Sequence, residues 1–272
     1  MSRPSTVSLL WHQTRYEWRV FWRVPISAFF TILFPLLIYV VFSLIFPNET
    51  IDYLGITTAQ FYAPSLAVYS AVAASYMNLS ISTAYQRDEG ILKRVRGTPL
   101  PAWVFLGGKI LSSMLVAIVG TLIMLAAGLA FFGLKFYPET LWAIVVVFFI
   151  GVSTFAALGL LVAALAPSGQ AATAISNATL LPLAFVSGVF IVPGQEMPTW
   201  LNAISDFFPL SHFVEPFRAA FTPPQMRVDL AWFDLAYLAL WGLVAVALAA
   251  RWFQWEPSPS GGGRRSASRA TS

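Results

Sequence analysis

The chain has 272 residues, 58% hydrophobic and 10% charged, with a net charge of +4 and a mean hydropathy of +0.72. That balance marks a polytopic membrane protein and leaves no room for a sizeable soluble domain. With no cysteine and only His12 and His212, disulfides, thiolate chemistry and a histidine-based metal cluster are excluded.

The first predicted element is an amphipathic helix over 7–23. Val7, Leu10, Trp11, Thr14, Trp18, Phe21 and Trp22 recur at helical spacing on one face, and His12, Arg15, Arg19 and Arg23 gather on another. Tryptophans opposite arginines predict a helix lying in the membrane interface, either as an anchor for the first span or as a mechanical part. No cleavable signal peptide is expected, because the following apolar stretch is too long and lacks a small-residue cleavage site. Six membrane-spanning helices are predicted, at 25–46, 61–83, 103–131, 141–166, 171–192 and 232–253. Each supplies the roughly 20 apolar residues that a span needs. Pro35 and Pro182 fall inside two of them and predict kinks.

Between the second and third spans stands a dense charged run, from Tyr85 to Pro101, holding Arg87, Asp88, Glu89, Lys93, Arg94 and Arg96. Residues 86–95 read as a short helix ended by Gly97-Thr98-Pro99. Such a segment either sets topology as a solvated loop or docks a soluble partner. Between the fifth and sixth spans, Trp200, Leu201, Ile204, Phe207 and Phe208 form one apolar group. Phe213, Val214, Phe217, Ala220 and Phe221 form another, beyond Pro209. Two short re-entrant helices over 196–221 would fit, serving transport or only capping the surface. Glu215 and Arg218, three apart, are placed to pair there. The Ser/Gly/Arg-rich tail, 257–272, reads as disordered.

Orientation follows from charge. With the N-terminus inside, all of the 16 basic residues except Lys135, Arg218 and Arg227 face inward. Most of the 12 acids face outward: Glu49, Asp52, Glu139, Glu196, Asp206, Glu215, Asp229 and Asp234. Both termini are therefore expected in the cytoplasm. The net charge reflects this asymmetry and is no nucleic-acid signal.

No enzyme motif is complete. Gly107-Gly108-Lys109 lacks the upstream glycine spacing of a phosphate loop. Gly151-Val152-Ser153 has no histidine in any span to serve as base and reads as a packing position. The spans carry almost no ionisable residues, which argues against an ion-gradient carrier. Tyr69, Tyr76 and Asn78 in the second span, and Thr173, Ser176 and Asn177 in the fifth, are its polar candidates. They line a weakly polar pathway for an amphipathic substrate or bond helix to helix.

Two segments carry a family resemblance. One is the run from Arg87 to Pro101, with its Gly97-Thr98-Pro99-Leu100-Pro101 ending. The other is Leu181-Pro182, Ser187 to Phe190, Met197 to Leu201, Phe208-Pro209-Leu210 and Glu215 to Arg218. In this order and spacing the chain resembles the type-2 ABC transporter permeases of the daunorubicin-resistance and nodulation-export subgroup. The resemblance implies an all-α membrane fold, with one six-span permease domain over 1–256 in the cytoplasmic membrane. It implies that 86–98 is a coupling helix docking on a separate ATP-binding subunit, with Arg87, Asp88, Glu89, Gly90, Leu92 and Arg94 at the dock. Leu92 and Val95 are expected to seat that helix against the membrane domain. No cofactor is implied in this chain; ATP and Mg belong to the partner ATPase. A second permease copy, as a homodimer, or a paralogue completes the exporter, in contact with membrane lipid. The implied cargo is hydrophobic or amphipathic: a drug, natural product or lipid-like compound, with a lipid-linked glycan or a non-transporting scaffold as alternatives. Gln86 and Ile91 depart from the family pattern, where glutamate and threonine are usual.

Overall fold

The computed structural model describes residues 5–46, 50–51, 55–190, 198–222, 231–253 and 255. The tail expected to be disordered, and residues 191–197 at the end of the fifth predicted span and the start of the outer segment, lie outside the described residues. Helix α1 (Thr6–Trp22) begins at Ser5, whose hydroxyl accepts the Ser8 N–H at 3.3 Å. Helices α2 (Pro25–Ala28) and α3 (Phe34–Ile45) form one rod, joined by a wide π turn, Phe29–Leu33. The turn has a local cause. Pro35 has no N–H to give the Thr31 carbonyl, and its ring crowds that carbonyl. The freed oxygen is not left bare, because Ser70 Oγ donates to it at 2.7 Å.

A two-stranded antiparallel ribbon, β1 (Thr50–Ile51) and β2 (Ile56–Thr57), leads into α4 (Thr58–Val72). Thr57 and Gln60 form a reciprocal cap: Gln60 N–H donates to Thr57 Oγ1 at 3.3 Å, and Thr57 N–H to Gln60 Oε1 at 3.2 Å. Thr57→Ala is expected to lower stability by about 1 kcal/mol, measured as a lower thermal midpoint in detergent. Helix α4, a π turn (Ala73–Asn78) and α5 (Leu79–Asp88) continue as a single rod of roughly 46 Å. It is longer than the predicted 61–83. Every residue of α4 is buried. This upper part of the rod is enclosed by protein, so its Ser, Tyr and Gln side chains need not face lipid.

After α6 (Ile91–Arg96) come α7 (Ala102–Phe131), a 3₁₀ turn (Pro138–Thr140), α8 (Leu141–Leu165) and α9 (Gly169–Val186). Then follow α10 (Thr199–Phe207), α11 (Ser211–Ala219) and α12 (Trp232–Trp252). Among the described residues, four helical stretches are long and apolar enough to cross a membrane: Pro25–Ile45, Ala102–Phe131, Pro138–Leu165 and Trp232–Trp252. They match four predicted spans closely. The other two predicted spans are the central rod and α9, both more polar. Helix α9 runs continuously through Pro182.

The core collects around Phe61, Leu66, Val152, Phe213, Phe217 and Leu238, all buried. Helix α11 drives into it, with the Phe213 ring directly over Gly151. The Gly151-Val152-Ser153 stretch is thus a packing position. Helix α10 buries none of its residues. Two short helices, α10 and α11, fall within 196–221 and are separated at Pro209.

Candidate functional site at the basic end

The charged run forms two elements rather than one helix. The rod ends at Asp88, and α6 starts at Ile91. Gly90 between them takes φ 69°, ψ 14°, left-handed backbone that an L side chain adopts only with strain. Gly90 therefore sets the angle between rod and α6, which the sequence reading over 86–95 did not separate. Leu92 is fully buried and seats α6 against the bundle, with Val95 half-buried. Glu89, Lys93, Arg94 and Arg96 are exposed.

Arg87 does not share that exposed face, and Asp88, although exposed, turns a carboxylate oxygen inward. Arg87 is 2% exposed and donates from Nη1 to the Ala163 carbonyl at 2.8 Å and from Nη2 to the Ala166 carbonyl at 2.6 Å. These oxygens lie at the C-terminal end of α8, where carbonyls lack helical partners and a cation is favoured. Asp88 Oδ2 accepts the Gly169 N–H at 2.6 Å, at the N-terminal end of α9. Its Oδ1 lies 3.6 Å from Arg87 Nε. The two side chains grip both ends of the α8–α9 corner. Arg87 is thereby removed from the docking face that the resemblance gave it, because its guanidinium is spent on carbonyls inside the chain.

A second charged pair stands nearby. Lys109 Nζ on α7 lies 3.2 Å from Glu17 Oε2 on α1, with exposures of 1% and 7%. Gln13 Nε2 donates to Glu17 Oε1 at 3.0 Å, and Gln86 Nε2 reaches Oε2 at 3.5 Å. The helices approach this closely at Gly108, where a Cβ would stand 2.4 Å from Gln13 Cγ. Sequence reading did not single out Glu17, and weighed Lys109 only as part of an incomplete phosphate loop. The signal was present: Leu10, Thr14, Glu17 and Phe21 share a stripe, and a Gly-Gly pair precedes the lysine. The stripe that packs against α7 takes Leu10, Thr14 and Phe21 from the apolar face and adds Glu17, leaving the tryptophans to one side. Trp11 and Trp22 are exposed, Trp18 is half-buried, and Arg15, Arg19 and Arg23 are exposed beside them. Between α1 and α7 on one side and α5 and α6 on the other lies a cavity of about 430 Å³.

The polar pathway candidates do not converge. Tyr76 OH bonds Thr179 Oγ1 at 2.6 Å, and Ser176 Oγ bonds Ser80 Oγ at 2.7 Å, joining the central rod to α9. Thr173 Oγ1 and Asn177 Nδ2 donate to carbonyls of their own helix, Gly169 and Thr173. Tyr69 is buried against Phe190, with ring centroids 5.3 Å apart. Asn78 lines the cavity. At the opposite end, Trp200 is exposed, and Phe207 and Phe208 lean on Trp241. Arg218 turns to the Gly188 carbonyl at 3.3 Å and over the Phe61 ring at 4.5 Å. Although Glu215 keeps an open edge, desolvation raises its carboxyl above the ordinary value, with Arg218 opposing.

Residues 8–222 match the model of the ABC-2 type transporter family. The chain belongs to this family. The match runs from α1 through the charged elements to α11, so both charged pairs and the two short helices α10 and α11 fall inside the family domain. Curated relatives agree. The chain is 29% identical to "Putative transport permease ycf38" of Cyanophora paradoxa, over 80% of this chain and 76% of the relative. It is 28% identical to "Daunorubicin resistance ABC transporter permease protein DrrB1" of Streptomyces coeruleorubidus, over 77% and 75%. It is 29% identical to "Nodulation protein J" of Sinorhizobium fredii, over 61% and 63%. As a member of the ABC-2 family, this is a multi-pass membrane protein of the transport-permease type, not a nucleotide-binding enzyme.

Proposed function

We propose that the chain is the membrane half of an ATP-driven exporter of hydrophobic or amphipathic compounds. The observation that carries the reading is α6. It is a short basic helix with Lys93, Arg94 and Arg96 exposed and Leu92 locked into the bundle. It is joined through Gly90 to the most deeply buried rod of the fold. An exposed charged tip on a rigid internal rod receives a push from a soluble partner and delivers it among the spans. Glu89, Gly90 and Arg94 remain at the dock, Leu92 is withdrawn from it to seat α6, and Arg87 and Asp88 tie the element to the α8–α9 corner. ATP and Mg are bound by the partner ATPase. In this reading there are six spans, including the central rod and α9, and the basic bias of the inward segments supports both termini and α6 in the cytoplasm. A second permease copy completes the transport path. The drug-resistance name of one relative favours a drug-like or natural-product cargo.

Affinity purification of the tagged chain from its own membranes tests this. A stoichiometric ATP-binding subunit is expected to come with it. Reversing Arg94 and Arg96 together to glutamate is expected to reduce that subunit at least about tenfold while the permease level holds. A chain that purifies alone in mild detergent sinks the exporter reading and leaves a scaffold.

A further inference from the structure

The contacts of Arg87 and Asp88 tie together parts of the chain about 80 residues apart. Arg87 spans two carbonyls at the end of α8, and Asp88 holds the first N–H of α9. On the same seam Tyr85 lies flat on Gly169, where a Cβ would stand 2.7–2.9 Å from its ring atoms. Higher up, Ser80 and Tyr76 bond Ser176 and Thr179. The lower rod, the α8–α9 corner and α9 are therefore one bonded unit. Helix α1 and α7 form another, held by the Glu17–Lys109 pair and the Gly108 crossing. The 430 Å³ cavity lies on the seam between the two units, with Gln86 and Glu17 in weak contact across it.

We propose that Arg87 and Asp88 are positioning residues. They splice the arm that carries α6 to the α8–α9 corner, so that a displacement of α6 moves the lower rod, that corner and α9 as one body against the α1–α7 pair. The seam cavity changes with each stroke. The inference rests on the exporter reading.

The chain has no cysteine, so one introduced thiol reports by itself. Ser82 lines the seam cavity. In a Ser82→Cys background, the assembled permease and ATPase are labelled with a maleimide, nucleotide-free and after trapping with ATP and vanadate. The labelling rate is expected to change between the two states by about 2- to 30-fold. Asp88→Ala and Gly169→Ala, which open the same joint from its two sides, are expected to abolish that change while ATP is still hydrolysed. Asp88→Asn is expected to retain part of it, because its amide oxygen still accepts the Gly169 N–H. Adding Tyr85→Ala to Gly169→Ala is expected to restore it by clearing the ring. If no ATPase partner is found, the exporter reading falls and the splice with it. If an active complex shows no nucleotide-dependent change, or keeps it in both Asp88→Ala and Gly169→Ala, the splice alone is overturned.

Discussion

Lys109→Met is expected to be among the most destabilising single changes in the chain, at about 3–5 kcal/mol. The substitution keeps most of the side-chain volume and removes the charge that faces Glu17 at 3.2 Å. It leaves a carboxylate, 7% exposed, with only the Gln13 and Gln86 amides to stabilise it. The same substitution combined with Glu17→Gln is expected to recover most of the loss. A neutral amide still bonds its neighbours, and replacing a whole buried pair is often close to neutral. Fluorescence-detected gel filtration after graded heating in detergent reads the folded fraction. Equal midpoints for the single and double variants would show that the pair does not hold α1 in place.

Gly108→Val is the second large effect. The new branch would start 2.4 Å from Gln13 Cγ and 3.2 Å from its backbone carbonyl carbon. The flexible end of Gln13 could move, but the backbone cannot without lifting α1 from α7. Overpacking of this kind costs about 1–3 kcal/mol. Gly107→Ala provides the contrast. Its Cβ would meet only the tip of Leu10, at 3.2 Å, and its stability should hold within about 0.5 kcal/mol. Lifting α1 also separates Glu17 from Lys109. Gly108→Val should therefore lose less in the neutralised double background than in the parent, the sign of two contacts sharing one joint.

The parts legible in the sequence were those governed by local composition. Long apolar runs gave α7, α8 and α12 to within a residue or so, because length and hydropathy are properties of the run itself. The outer pair, α10 and α11, was legible because Pro209 divides two apolar groups. The central rod was under-read at both ends. Its capping Thr57 and most of its last turn, Tyr85 to Asp88, are polar, and hydropathy does not register the contacts with α8 and α9 that hold them. The α6 boundary was missed because charge runs unbroken across Gly90, and the positive φ there is a matter of geometry that composition does not announce. Arg87 and Asp88 were assigned to the dock on the family resemblance, which carries no information on their contacts within the chain. Their partners are three backbone groups at 163, 166 and 169, which carry no side-chain signature at all.

The π turn at Ala73–Asn78 has a consequence for phase. A π turn accommodates one residue more than the α-helix would, and each residue of an α-helix subtends roughly 100°. The lower rod is therefore rotated, relative to a plain helix continued from α4, by about that angle. Deleting one residue within 73–78 would let the helix close to ordinary winding. Arg87 and Asp88 would then swing around the rod, away from the corner that they now grip. A single extra residue, placed some ten positions upstream, thus determines which side chains of α5 meet α8 and α9. In this chain the reading frame of the helix is itself a structural variable.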